Sequence, residues 1–365
     1  MSRIDLDRLA RVEFPPPSYL SLPTAGIDIS ASGIKMVLLR ERLHGLELAA
    51  FAEERLEQGI ISGGEITDKK KVVDILAMLA KRHKFRFANI ALSESRGYLF
   101  EADVKGKTIT EMRMATEQHI DEYVPLPPSE VVFDIAPLAA NGDLTHVVGV
   151  GYARRVVDEL IATIDAANIR VRAMEGETFA LARALLPHGD TDTVLIIDIG
   201  RTTTKLMVVE NRMPRFTTTL DIGGHALTLA VQKYFGVTEE EAKKVKAEKG
   251  LISGEDGEEY VAAMISTVSV IREEIARRLQ YWQSRVSQEA AHKPVSRIVL
   301  VGGNATVRGL PEYLEASLKI PVELGDVFTN LASRDTWLPP VDYMESLAYG
   351  TAIGLALREY VPRTN

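Results

Sequence analysis

The chain has 365 residues, 46% hydrophobic and 26% charged, too much sequence for one ordinary core, so two or more domains in a soluble globular protein are predicted. A net charge of −8 leaves no basic excess for a phosphate backbone, which argues against a nucleic-acid partner. Without cysteine there is no disulfide, thiolate zinc site or thiol catalysis, the seven histidines include no pair at helical ligand spacing, and no apolar run reaches a membrane span. A cytoplasmic protein is expected.

Residues 1–22 carry Phe14-Pro15-Pro16-Pro17 and no periodicity, and read as a flexible lead-in. Residues 27–38, I-D-I-S-A-S-G-I-K-M-V-L, predict a strand ending in Asp28, a small-residue turn, Lys35 and a returning strand. Thr67 is the expected cap of a helix with Val72, Ile75, Leu76 and Leu79 on one face, and Lys69-Lys70-Lys71 reads as its solvated start. A strand over Asn89–Leu92 follows. Residues 94–152 predict a strand near Tyr98–Val104, a helix holding Met112, Ala115, His119 and Ile120, a stop at Pro125, Pro127 and Pro128, then strands at Val131–Ile135 and Val147–Val150. This β-α-β-β piece is an inserted subdomain, and helices over Arg155–Asn168 and Glu177–Leu186 return to the first half.

The second half opens at Val194, and residues 197–208, I-D-I-G-R-T-T-T-K-L-M-V, repeat the first hairpin about 170 residues later. A strand through Thr217-Thr218-Thr219 ends in Gly223-Gly224. Thr238 and Glu241 form a capping box for a helix over Glu239–Lys249, stopped by Gly250. A long helix presents Val261, Met264, Val268, Ile271, Ile275, Leu279, Trp282 and Val286 at spacings of three or four, read as a core-facing stripe. A strand over Arg297–Val301 runs into Gly302-Gly303-Asn304, and a glycine-rich helix, Glu345–Glu359, closes the second lobe.

Two hairpins of acid, small-residue turn and lysine suit one chemistry. A turn of Gly, Ser and Thr exposes consecutive backbone N–H groups that cradle anions, and a strand-end Asp suits water-coordinated Mg²⁺. Each turn alone is weak. Their order, with a strand–Gly-Gly turn late in the chain, resembles the actin, sugar-kinase and heat-shock-chaperone superfold. Over nearly its whole length the chain further resembles the PilM family, the cytoplasmic actin-like component of type IV pilus assembly. The carrying stretches are Gly26–Leu38, Asp121–Asp134, Glu175–Arg183, Leu220–Gly250, Leu300–Leu310 and Tyr349–Arg358.

That resemblance implies an α/β, two-lobed actin-like nucleotide-binding fold with a small β-α-β-β insertion of the type shared with FtsA. It assigns 23–93 with 153–190 to the first lobe, 94–152 to the insertion, 191–227 with 294–365 to the second lobe and 228–293 to its helical subdomain. It implies ATP with Mg²⁺. Ser30, Ala31, Ser32 and Lys35 would hold one side of the phosphates and Gly200, Thr202 and Thr203 the other. Asp28 and Asp198 would orient metal-bound water. Gly223 and Gly224 would lie near the phosphate and ribose, Lys246 near ribose or adenine, and Gly302, Gly303 and Asn304 under the base. The implied partner is the N-terminal peptide of a PilN-like bitopic inner-membrane protein, docked between the first core subdomain and the insertion, with Tyr98, Leu126 and Phe133 as candidate contacts. The protein would then sit peripherally at the inner membrane beside other pilus-platform proteins, not inserted in it, with self-association left open.

Three departures from the family pattern bear on nucleotide affinity. Ser30 puts a Cβ where the usual glycine lets phosphate approach, Arg201 follows Gly200 where a small residue is usual, and Lys243 replaces a common glutamate. For catalysis, Glu175 and Glu177 at the junction of the halves are the weak candidates, beside hinge bonding or a solvated helix start; no sugar-kinase base is evident. The alternatives are an FtsA-like filament protein, a small-molecule kinase and a nucleotide-free docking member. Against the first, Leu357–Asn365 is too short and proline-broken for a terminal membrane helix.

Overall fold

The computed structural model describes residues 22–252, 257–288 and 292–360. The predicted lead-in, apart from Leu22, and the last five residues lie outside them. After Pro23 the apolar run forms β1 (Thr24–Ser30), which turns at Ala31-Ser32 into β2 (Gly33–Arg42), followed by β3 (Gly45–Arg55). β1 is buried from Thr24 to Asp28 and β2 from Gly33 to Leu39. Burial on both faces is what near-continuous apolar sequence provides. Two-residue strands β4 (Ile61–Ser62) and β5 (Glu65–Ile66) lead to α1 (Lys69–His83). Asp68, not Thr67, caps α1 by accepting the Lys71 N–H at 3.1 Å. The Thr67 hydroxyl is diverted to the Ile60 carbonyl at 2.9 Å. Val72, Leu76 and Leu79 bury the helix face in the core beneath β6 (Phe87–Leu92).

The insertion comprises β7 (Gly97–Lys105), α2 (Ile109–Glu117), α3 (Ile120–Tyr123), β8 (Val131–Asn141) and β9 (Leu144–Ala153), in sheet order β7-β9-β8. The expected single helix is two, broken at Gln118-His119. α4 (Arg154–Ala166), β10 (Arg170–Gly176) and α5 (Glu177–Leu185) follow. The second half supplies β11 (Thr193–Ile199), β12 (Thr204–Glu210), β13 (Met213–Leu220), α6 (Gly224–Phe235), α7 (Glu239–Lys249) and α8 (Gly257–Gln288). The Thr238–Glu241 capping box is present and Gly250 terminates α7 at φ 60°. Met264, Val268, Ile271, Ile275 and Trp282 of α8 are buried, as a core-facing stripe requires. Last come β14 (Arg297–Val301), α9 (Leu310–Leu318), β15 (Val322–Leu324), α10 (Tyr343–Ser346) and α11 (Gly350–Leu357); a 3₁₀ turn at Leu347–Tyr349 interrupts the predicted closing helix.

Two five-stranded sheets share one topology, with orders β10-β6-β1-β2-β3 and β13-β12-β11-β14-β15. In each, the hairpin strands are antiparallel and the inner strand pairs in parallel with a later one, β6 or β14. The described residues up to Ser93, Arg154–His188 and those from Asp326 onward form the first compact unit; Glu94–Ala153 with Gly189–Gly325 form the second.

This division differs from the expected one at the end of the chain. Residues 326–360, assigned from sequence to the second lobe, belong to the first unit, because α11 lies directly on β1 and α5. A Cβ at Gly26 would sit 2.0 Å from the Ala352 oxygen, and one at Gly354 would sit 1.9 Å from the Ala180 oxygen. Only glycines permit that backbone approach. The insertion is held in the second unit by an ionic cluster. Glu101 on β7 accepts from Arg215 of β13 and Arg285 of α8, each at 2.9 Å, and Arg215 also faces the buried Glu210 at 3.5 Å.

Candidate nucleotide-binding turns

In the second unit, Asp198 near the end of β11 lies opposite Lys205 of β12, with 3.8 Å between carboxylate and ammonium. Between them the turn Gly200-Arg201-Thr202-Thr203 is closed by the Gly200 N–H donating to the Thr203 carbonyl at 2.9 Å. The N–H groups of Arg201, Thr202 and Thr203 make no hydrogen bond among the described residues. Three consecutive open N–H groups fit an oxyanion. The turn is braced from behind by a ring of polar contacts. Gly224 N–H donates to the Gly200 carbonyl at 3.0 Å, and Asn304 Nδ2 donates to the same carbonyl at 3.0 Å. Lys246 Nζ donates to Asn304 Oδ1 at 2.8 Å and, each at 3.1 Å, to the Gly224 carbonyl and Thr228 Oγ1.

The glycines of this region are spacers for the ring. A Cβ at Gly224 would sit 1.9 Å from Asn304 Oδ1; Gly302, at φ 93°, faces Asp198 Oδ1 so closely that its Cβ would lie 2.3 Å away. Gly223 likewise faces the Gly200 and Arg201 carbonyls, where a Cβ would lie 2.8 Å from each. Gly303 follows as an exposed turn residue. Lys246, assigned from sequence to ribose or adenine, is thus buried with all three ammonium donors on protein acceptors. Burial, with a smaller push from Lys243, pulls its ammonium down to about 8. Lys243 itself turns outward to Glu239 at 3.0 Å and Glu240 at 2.8 Å. Thr228, one helical turn after Gly224, is the partner that sequence reading missed; its i+4 spacing from Gly224 was the available signal.

In the first unit, Asp28 and Lys35 occupy the same cross-strand register as Asp198 and Lys205. The turn closes on itself. Ser30 and Ser32 hydroxyls lie 2.9 Å apart, Ser30 Oγ donates to the Gly33 carbonyl at 3.2 Å, and Lys35 Nζ donates to Ser32 Oγ at 3.4 Å. The N–H groups of Ala31 and Ser32 make no hydrogen bond among the described residues. Lys35 is 5% exposed and pairs with Glu53 of β3 at 3.6 Å. Glu53 also escaped the sequence reading, since only the β2–β3 register places it opposite Lys35.

Glu175 at the end of β10 is buried between two guanidiniums. Both its oxygens take Arg183 in a bidentate pair, Arg183 Nη2 to Oε2 at 2.9 Å, and Arg358 also donates to Oε2. A carboxylate so engaged clamps β10, α5 and the end of α11. Glu177 is buried in the first turn of α5. Of the candidate peptide contacts, Phe133 and Leu126 pack in the insertion's core, whereas Tyr98 is exposed.

Paired sheets of one topology, each carrying an acid–turn–lysine hairpin, place the protein in the actin-like class of nucleotide-binding folds. The family model described as type IV pilus assembly protein PilM matches residues 26–360, and the chain belongs to that family. Among solved structures, the PilM-PilN type IV pilus biogenesis complex superposes with a TM-score of 0.78 at 22% identity, covering 93% of this chain and 99% of that one. MreB5 of Spiroplasma citri bound to ADP gives a TM-score of 0.55 at 13% identity over 85% of this chain and 94% of that one. The cell division protein FtsA of Agrobacterium fabrum is 26% identical over 213 residues, 52% of this chain and 47% of FtsA. The chain thus matches about half the length of that curated relative. Among the described residues no helix is long and apolar enough to cross a membrane.

Proposed function

We propose that this PilM-family chain is an ATP-binding scaffold of the type IV pilus assembly platform, peripheral to the inner membrane, which docks the N-terminal peptide of a PilN-like partner. The observation that carries the nucleotide reading is the braced turn at Gly200–Thr203, whose Arg201, Thr202 and Thr203 N–H groups make no hydrogen bond among the described residues while Asn304, Gly224 and Lys246 hold the turn. In this reading the Arg201, Thr202 and Thr203 amides bind phosphate oxygens, and Lys246 fixes the turn without touching the ligand. In the first hairpin the Ala31 and Ser32 amides are the corresponding groups. Bound Mg²⁺ would neutralise phosphate charge, and Asp28 and Asp198 are the acids suited to orient its waters. Among the described residues there is no cluster of three ligating side chains, which suits a cation held mainly by phosphate and water.

Hydrolysis requires a group that positions water in line with the terminal phosphate. Glu175 is committed to Arg183 and Arg358, so a scaffold with little turnover fits better than an enzyme. The partner reading draws on the family and on the solved relative that is itself a PilM-PilN complex. The FtsA likeness covers half the chain and favours a filament protein less.

Calorimetric titration of Mg-ATP into the wild type and Asp198→Ala, with phosphate release followed in parallel, tests the proposal. Binding that the substitution weakens, with negligible release, supports it. Rapid release would instead make the protein an enzyme, and no binding at millimolar ATP would reduce it to a nucleotide-free docking protein. Titration of a PilN-like N-terminal peptide into the same samples tests the partner separately.

A further inference from the structure

We propose that the end of the first unit's sheet opposite its phosphate turn is an electrostatic contact surface for an anionic phospholipid bilayer, carried by Lys81, Lys84, Arg86, Arg170, Arg172 and the exposed Leu22. The chain is acidic overall, at −8, yet residues 81–86 read Lys-Arg-His-Lys-Phe-Arg. Phe85 alone in that run is buried, and it anchors the exposed Lys81, Arg82, Lys84 and Arg86 around it.

The sheet brings further cations to the same row. Phe87 pairs with Thr24 of β1 on one side and Arg170 of β10 on the other. The Arg170 N–H donates to the Arg86 carbonyl at 2.7 Å. Arg172 reaches Thr24 Oγ1 at 3.3 Å, two residues from Leu22, whose side chain is 54% exposed. Leu22, Arg86, Arg170 and Arg172 sit at or beside the N-terminal ends of three parallel strands, with Lys81 and Lys84 at the end of the helix that leads into β6, whereas the Ser30 turn lies at the C-terminal end of β1, seven residues or about 20 Å away. Contact at one end leaves the other accessible.

Helix-dipole compensation accounts for Lys81 in the last turn of α1 and Lys84 at its C-cap, but not for Arg86, Arg170 or Arg172. Acidic neighbours offset part of the cluster. Arg82 pairs with Glu54, Arg170 with Asp165 and Arg172 with Glu359. Lys81, Lys84 and Arg86 have no ion-pair partner among the described residues. Three cations without ion-pair partners, together with an exposed leucine, on a chain of net charge −8, suit a surface that orients the protein at a bilayer. Each basic group near an anionic leaflet contributes about fivefold, so the three give on the order of 100-fold. That is weak alone and effective once a second tether raises local concentration. The biological setting rests on the inner-membrane reading above; the physical contact does not.

The test is co-sedimentation of the purified full chain, without partner or nucleotide, with vesicles of phosphatidylglycerol and phosphatidylcholine or of phosphatidylcholine alone. The wild type is expected to bind the anionic vesicles, to lose binding as salt rises, and to ignore neutral ones. Lys81→Glu/Lys84→Glu/Arg86→Glu should lose binding by on the order of 100-fold, whereas a charge-matched Lys107→Glu/Lys233→Glu/Lys244→Glu variant should retain most of it. Unchanged thermal midpoints and retained PilN-peptide binding establish that the triple variant is folded. Equal loss in both variants, equal binding to neutral vesicles, or equal affinity for duplex DNA at the same charge concentration would overturn the proposal. Failure here leaves peptide and ATP binding untouched, so the two readings fall separately.

Discussion

The two hairpins are copies in spacing and opposites in construction. Asp28–Lys35 and Asp198–Lys205 share one cross-strand register, yet the first turn is stiffened by its own serines and the second by side chains from α7 and the β14 turn. A duplicated scaffold therefore preserves the strand geometry that aims a turn, while the means of stiffening it diverged. One turn relies on local hydroxyls. The other relies on a tertiary ring whose members are far apart in sequence.

Substitutions test that contrast directly. The largest effect is expected for Asn304→Leu, which removes the bonds to Lys246 and to the Gly200 carbonyl and leaves one donor of a buried ammonium without its acceptor. Urea unfolding should show a loss of roughly 3 to 4 kcal/mol, against less than about 1 kcal/mol for Ser32→Ala in the first turn. Similar losses at both sites would mean the turns are stiffened alike.

Next comes pH. The folded-state value of Lys246, about 8, lies below its ordinary 10.5, so between those values the unfolded chain binds more protons than the folded one. Stability from this group therefore rises with pH across that window, by up to about 3 kcal/mol. In Lys246→Met the rise should disappear, and in Lys35→Met it should persist; denaturation midpoints at several pH values read the difference. A smaller effect than either belongs to Lys35→Met itself. Its pairing with Glu53 at 3.6 Å is partly open to solvent, and about 1 kcal/mol is expected. A loss as large as that of Asn304→Leu would show that the first hairpin is held by its lysine and not by its serines.

What could be read in advance follows the range of the forces involved. Both hairpins, the Gly223-Gly224 turn and the Thr238–Glu241 box were legible because neighbours in sequence determine them. The cap of α1 was misread by one residue. Thr67 and Asp68 are both competent, and the Ile60 carbonyl, fixed by tertiary structure, takes the threonine. Lys246 was read as a ligand because its acceptors, Gly224, Thr228 and Asn304, lie 18 to 58 residues away, and sequence alone does not show an ammonium turning inward. The home of the closing helix was likewise hidden. Gly26 and Gly354 reveal nothing until their close backbone neighbours are known.

That last contact sets an order of assembly. β1 is made before the second unit and α11 after it, yet each buries the other, with the whole second unit encoded between them. During synthesis the segments of the second unit are complete while the first unit still lacks a face of its central strand. The N-terminal sheet is therefore the last to mature, and until α11 emerges β1 remains an apolar strand awaiting cover, a natural client for chaperones.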